Sequence, residues 1–301
     1  MNQSTPEIFK YSPTITLVLL LGILISSCSK EDNSVEYFDA NKSYDIVTPE
    51  PLIQSFVALL TEENIESIYM PEYAFRSLDI PEENRKDYLR SSKLILLYSP
   101  EHHQSFENFF GIESDNSWNN ITYLREDKIG SDYPFIAPEE LQSDINNIAD
   151  TLSSEFPEHQ DTITRNKLII EERINTLDEY SKAAFEEVSV DGTRFIVESK
   201  YMKQWLEAYL PGVDKTEIVV VEELLNRETF DLEQYLDDSK DTILISTSLE
   251  SKEYFQPSQE IDNLVVIQFN VFKDGYKGPD SYFENMVQNI KLLTLSLYSL
   301  S

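Results

Sequence analysis

The sequence predicts an α/β protein of two lobes, each a mostly parallel sheet flanked by helices, joined by one long rigid helix. Two observations carry that expectation. Over most of the chain short apolar runs alternate with amphipathic stretches, the pattern of α/β proteins. From Pro157 to about Val188 the alternation stops: no strand-like run, glycine or internal proline interrupts the segment. Ile163, Ile170, Ile174, Leu177, Ala184 and Val188 recur there at helical spacing. A helix of about 30 residues is roughly 45 Å long, well beyond the usual globular length. With α/β material on both sides, it reads as a spine joining two lobes at 44–156 and 189–301. A helical hairpin or a kinked pair of helices over 157–188 is the alternative.

The elements follow in order. Residues 15–25 form an apolar run broken only by Thr16 and Gly22. A membrane-spanning helix needs roughly 20 such residues, so this run is too short for one. It follows Lys10 and precedes Ser26 and Ser27, the layout of a secretory signal peptide over 1–27. Ile25-Ser26-Ser27-Cys28 resembles the lipobox of bacterial lipoproteins, in which the cysteine is lipidated and becomes the new N-terminus. Cys28 is the only cysteine in the chain, so it has no internal disulfide partner. The alternative is a cleaved signal beside an incidental buried cysteine. The acidic cluster after it resembles sorting signals of Gram-negative lipoproteins, and residues 28–43 read as a flexible spacer. The expected location is the cell envelope, with acyl chains such as palmitate anchoring the protein to the outer membrane, on its periplasmic or its outer face.

In the first lobe the expected strands are 45–47, 66–69 and 93–98, with a helix over 51–60 whose Pro51 suits a first turn. In the second they are 194–197, 217–221, 242–246 and 263–269. A helix over 200–210 places Met202, Trp205, Leu206 and Tyr209 on one face.

Composition narrows function. The formal charge of −31 repels nucleic acid and anionic surfaces. Removing 1–27 takes one acid, Glu7, and one base, Lys10, and leaves that charge unchanged. It favours cationic partners or marks a heavily solvated surface. Catalysis has no support: there is no Gly-x-Ser-x-Gly, no phosphate-cradling glycine loop and no His-Glu-x-x-His. The histidines are His102, His103 and His159. His103 and Glu107, at i and i+4, could share an ion, or mark an ordinary exposed helix start. His159 reads as solvent-facing decoration of a helix start.

Several stretches, in order, resemble the zinc/manganese-type (ZnuA/TroA-like) substrate-binding lipoproteins of ABC importers. "DIVTPEPLIQSFVALLTEE" looks like that family's first strand and helix. "SDYPFIAPEELQSDINNIADTLSSEFPEHQDTITRN" is similar to its Asp-Pro-His-x-Trp-Leu-Asp-Pro motif and following helices. "RFIVESKYMKQWLEAYLPG" and "TILISTSLESK" resemble the segments that supply its third and fourth ligands. "YFENMVQNIKLL" resembles its closing helix, Tyr282, Met286 and Asn289 keeping the spacing.

The resemblance implies a monomeric solute-binding protein that serves an ABC permease and takes a divalent metal, manganese or zinc. Carried over residue by residue, the metal ligands fall on Glu72 (or Tyr73), Tyr133, Glu198 or Ser199, and Glu250. Where the motif has its histidine this chain has Tyr133, and Phe135 and Ala137 stand for its tryptophan and aspartate. The implied shell is therefore all oxygen. Zinc prefers imidazole and thiolate, whereas hard cations accept oxygen, and a neutral phenol with a pKa near 10 is a poor ligand. Such a site favours manganese over zinc. The other reading is a metal-free interaction or adhesion-type surface lipoprotein on the same scaffold.

Overall fold

The computed structural model describes residues 44–62, 64–70, 89–98, 120–125, 138–186, 188–198, 200–210, 212–221, 232–236, 239–246, 263–269 and 278–300. Two sheets account for the described strands. The first holds β1 (Ile46–Thr48), β2 (Ser67–Tyr69), β3 (Leu94–Leu97) and β4 (Ile121–Tyr123) in the order β2-β1-β3-β4. The second holds β5 (Thr193–Val197), β6 (Ile218–Val220), β7 (Asp241–Ser246) and β8 (Leu264–Gln268) in the order β6-β5-β7-β8. Every pairing among the described strands is parallel. Parallel sheets are covered on both faces, so their central strands are continuously apolar. Leu94–Leu97 is buried at each position, and β7 is buried from Thr242 to Ser246.

The α-helices among the described residues are α1 (Pro51–Thr61), α2 (Pro138–Glu155), α3 (Gln160–Glu186), α4 (Lys200–Tyr209) and α5 (Ser281–Leu300). Helix α1 opens on Pro51 and closes at Glu62 in the left-handed region, φ 50° and ψ 38°. Glycine usually takes that place; here Arg165 of α3 pairs with the Glu62 carboxylate at 2.8 Å.

The expected spine is present, with its first turn altered. Residues Pro157–His159 make a 3-10 turn and the α-helix proper is Gln160–Glu186. Phe156, at φ −130° and ψ 63°, lies outside helical space and separates α2 from the turn. Ile163, Ile170, Ile174 and Leu177 are buried as the spacing requires. Val188 lies beyond the helix end, and the buried face also holds Asn166, Ser181 and Phe185. Asn166 donates from Nδ2 to the Leu60 carbonyl at 3.1 Å, tying the spine to the end of α1.

One contiguous core runs through both sheets. It takes Ile46, Leu94 and Leu96 from the first sheet and Phe195, Val197, Ile243 and Ile245 from the second. It also holds the inner faces of all these helices, including Met202, Trp205, Leu206 and Tyr209 of α4. The opposite faces form smaller clusters, Val47, Ile68, Ile95 and Leu97 in one sheet and Ile196 and Leu244 in the other.

A second tie joins the halves beside the spine. Helix α5, which comes after β8 in the chain, packs on α1 and α3. Phe56 meets Tyr282 at 5.5 Å and Phe283 at 6.3 Å between ring centroids. Arg173 of α3 pairs with Asp280 at 2.7 Å and lies 4.0 Å over the Phe283 ring. Gly278, at φ 139°, offers one carbonyl to Ser281 N–H at 3.1 Å, Ser281 Oγ at 2.6 Å and Ser55 Oγ at 3.3 Å. The sequence pattern predicts the spine but contains no signal for this return of α5 to α1.

Candidate functional site

Because all pairings are parallel, each sheet presents its strand carboxyl ends along one edge. Ligands of open α/β sheets sit outside that edge, where the strand order reverses. Here the reversals fall between β1 and β3 and between β5 and β7.

At the first reversal the chain leaves β1 through Thr48 and Glu50. The Glu50 N–H donates to Thr48 Oγ1 at 3.1 Å, and the Glu50 side chain is nearly buried. Tyr98 directly follows β3 and Arg125 stands two residues past β4, and the two converge on Asp144 of α2. Arg125 donates from Nε to Asp144 Oδ1 at 2.6 Å and from Nη2 to Oδ2 at 2.8 Å. The Tyr98 hydroxyl donates to the same Oδ2. Arg125 Nη1 faces Glu140 at 3.4 Å, and its guanidinium lies 5.4 Å from the Tyr98 ring centre.

Asp144 is only 2% exposed. Burial pushes its carboxyl above the ordinary value, against the opposing hydrogen bonds of Arg125 and Tyr98. Burial, then the Asp144 charge, pushes the Tyr98 phenol up as well, which keeps it a neutral donor. This is a fixed polar cluster built from the ends of two strands and one helix.

Glu198 directly follows β5 at the second reversal and is half-buried. It is the one proposed ligand among the described residues. Glu72, Tyr133 and Glu250, the neighbouring Ser199, the His103/Glu107 pair and Cys28 all lie outside them. The described residues therefore bring no proposed pair together, and among them no three His, Cys, Asp or Glu side chains are grouped to hold a metal ion. His159 stands half-buried in the 3-10 turn ahead of α3. Among the described residues no helix is long and apolar enough to cross a membrane.

Sequence reasoning did not single out Glu50, Tyr98, Arg125 or Asp144. A signal existed for Asp144: Leu141, Ile145, Ile148 and Leu152 define the buried face of α2, and Asp144 falls three residues after the first of them. A carboxylate on an apolar face needs a partner.

Two parallel sheets of like strand order, bridged by one long helix with strand carboxyl ends edging each sheet, define the class of two-lobed solute-binding proteins. Comparison with known proteins makes this specific. The chain belongs to the ZnuA family, described as zinc-uptake complex component A, periplasmic, whose family model matches residues 125–295. It is a family of solute-binding proteins, not of enzymes.

Solved structures share the fold. One is the substrate-binding protein FpvC of Pseudomonas aeruginosa in complex with Mn2+, with TM-score 0.62 and 13% identity, covering 86% of this chain and 100% of that one. Zn(II)-bound AdcA of Streptococcus pneumoniae gives TM-score 0.60 and 12% identity over 85% of this chain and 58% of AdcA. Fe(III)-bound YtgA of Chlamydia trachomatis gives 0.57 and 12% over 85% and 98%. The sequence matches no curated protein.

Proposed function

We propose that this chain is the lipid-anchored, extracytoplasmic substrate-binding component of an ABC importer for a divalent metal ion, with lobes at 44–156 and 189–301. The family match carries the reading, and among solved structures of the same fold one holds Mn2+, one Zn(II) and one the trivalent Fe(III). The ion is cargo, bound between the two carboxyl edges and passed to a permease. Its donors are Glu72, Tyr133, Glu198 and Glu250, with Ser199 as the neighbour of the third. Supporting the third of these is that Glu198 is the first residue past β5, at a strand-order reversal. Carboxylates without imidazole favour manganese over zinc.

Isothermal titration of the protein with manganese and with zinc tests this. The expected result is a single manganese site, weaker for zinc and lost in Glu198→Ala with Glu250→Ala. No heat at about 100 μM metal, where micromolar binding is plain, refutes it. That outcome would favour the metal-free interaction lipoprotein, to which the replacement of the motif histidine by Tyr133 already points. The anchor has its own check. Cys28→Ala should move the protein from the membrane to the soluble fraction, and unchanged fractionation removes the lipid from the proposal.

A further inference from the structure

Helix α3 ends at Glu186 and α4 at Tyr209. An open groove of about 520 Å³ lies between their last turns, lined by Glu179, Lys182, Ala183 and Glu186 of α3 and by Ala208 and Tyr209 of α4. Helix α3 leads into β5, and α4 leads towards β6. A helix that leads into a strand of a parallel sheet ends near that strand's amino end. The groove therefore lies towards the amino edge of the second sheet, opposite the carboxyl edge where the metal site is proposed.

Three features point to a cation there. Glu179 and Glu186 are exposed, and Lys182 between them is engaged by Asp178 at 2.5 Å. Seven residues apart, the two glutamates share one stripe of α3 and stand about 10 Å apart along its axis. The carboxyl end of a helix carries partial negative charge, which a basic side chain in the last turn offsets. Neither α3 nor α4 has one in its last turn, and both ends border the groove. Tyr209 is 1% exposed, and its hydroxyl has no hydrogen-bond partner among the described residues. Unlike the Tyr282 hydroxyl it is not sealed from solvent, and the groove is open space that Tyr209 lines. A phenol oxygen accepts from an ammonium. The floor decides the kind of cation. Ala183 and Ala208 offer methyl groups that suit methylenes, and no three carboxylates are grouped among the described residues to hold a bare metal ion.

We propose that this groove binds a linear polyamine. Its methylenes lie on Ala183 and Ala208, its terminal ammonium groups pair with Glu179 and Glu186, and one N–H donates to the Tyr209 hydroxyl oxygen. The site is separate from the metal site and independent of it.

The test is calorimetric titration of the full chain with spermidine, without metal, at about 0.15 M salt, where attraction between distant charges is largely screened. The expected result is one site, weakened about tenfold in Glu179→Gln with Glu186→Gln, as the loss of two exposed charge contacts implies. Ala208→Trp, at an exposed position, fills the groove and should weaken it at least as much. All three positions are exposed or line open space, so the variants should keep the parent's melting midpoint. The neutral diol of the same length should give no heat. Glu198→Ala with Glu250→Ala, which removes proposed metal donors, should leave spermidine binding unchanged, so the two readings fail separately. No heat at about 1 mM spermidine, or equal binding of the diol, overturns the proposal. So do several weak sites that persist in the double glutamine variant, which would reflect the acidity of the whole chain, and loss of binding in the metal-donor variant, which would place the amine elsewhere.

Discussion

Replacing Arg125 with methionine removes the cation facing Asp144 and keeps most of the side-chain volume. Asp144 is 2% exposed and would keep only the Tyr98 hydroxyl as donor. Breaking a buried pair so that one charge stays unpaired costs about 3–5 kcal/mol. Arg125 is 21% exposed at its side chain, so water reaches one end of the pair and the lower figure applies, about 3 kcal/mol. At about 2–4 °C per kcal/mol, that lowers the melting midpoint by roughly 6–12 °C.

Asp144→Ala should cost less, about 2 kcal/mol, because Arg125 can turn to Glu140 and water and only the Tyr98 hydroxyl is stranded. The double variant Arg125→Met with Asp144→Leu should lie within about 1 kcal/mol of the parent, since an apolar replacement of the whole pair leaves nothing unpaired. The pH dependence has a definite sign. The Asp144 carboxyl is raised above its ordinary 3.8 in the fold, so its ionisation costs stability as pH rises through the raised value. Losing Arg125 raises it further. The deficit of Arg125→Met should therefore widen towards neutral pH and narrow in acid. Urea unfolding of the three variants between about pH 4 and pH 7.5 measures all of this. A deficit below about 1 kcal/mol for Arg125→Met, or one smaller than that of Asp144→Ala, refutes the description of the cluster as a buried pair.

Three further outcomes follow from other sites. Gly278→Ala should destabilise by about 1–3 kcal/mol through backbone strain alone, because φ is 139° there and no atom lies within 4 Å of an added Cβ; a neutral result in urea unfolding contradicts the backbone conformation. Arg173→Ala should cost about 1 kcal/mol, since the Asp280 pair is largely exposed and most of the loss is the contact with the Phe283 ring; hydrogen exchange should show it as faster opening of the α5 amides. Hydrogen bonds from Lys240 and then Arg194 hold the Glu217 carboxyl below its ordinary 4.5. Its contribution is full above that value and fades as pH falls through the lowered one, so Glu217→Gln should flatten the acid limb of a stability–pH curve by under about 1 kcal/mol.

The strands were legible because parallel strands are buried on both faces and read as apolar runs: Leu94–Leu97 and Ile243–Ile245 could hardly be anything else. Strand β4 escaped because Ile121–Tyr123 is three residues on a sheet edge, half-buried at each, behind two asparagines. The boundaries of the spine blurred at both ends for local reasons, a 3-10 turn at Pro157 and an apolar Val188 that continues the pattern past the helix. Site legibility was of another kind. A ligand set is a meeting of loops from separate strands, and sequence order says which strand precedes each loop without saying where its side chains point. Asp144 shows the same limit inside a helix. In so acidic a chain one more carboxylate carries no information until Leu141, Ile145 and Ile148 reveal the face it shares, and its partners lie 19 and 46 residues away.

The closing position of α5 also orders events during synthesis. Phe56 sits near the start of the chain, yet the rings that cover it, Tyr282 and Phe283, belong to its last twenty residues. Until those residues are made, Phe56 of α1 lacks the two rings that it meets in the fold. A nascent chain exposing such a surface is one that chaperones hold, and for this protein the wait ends only when α5 has been made.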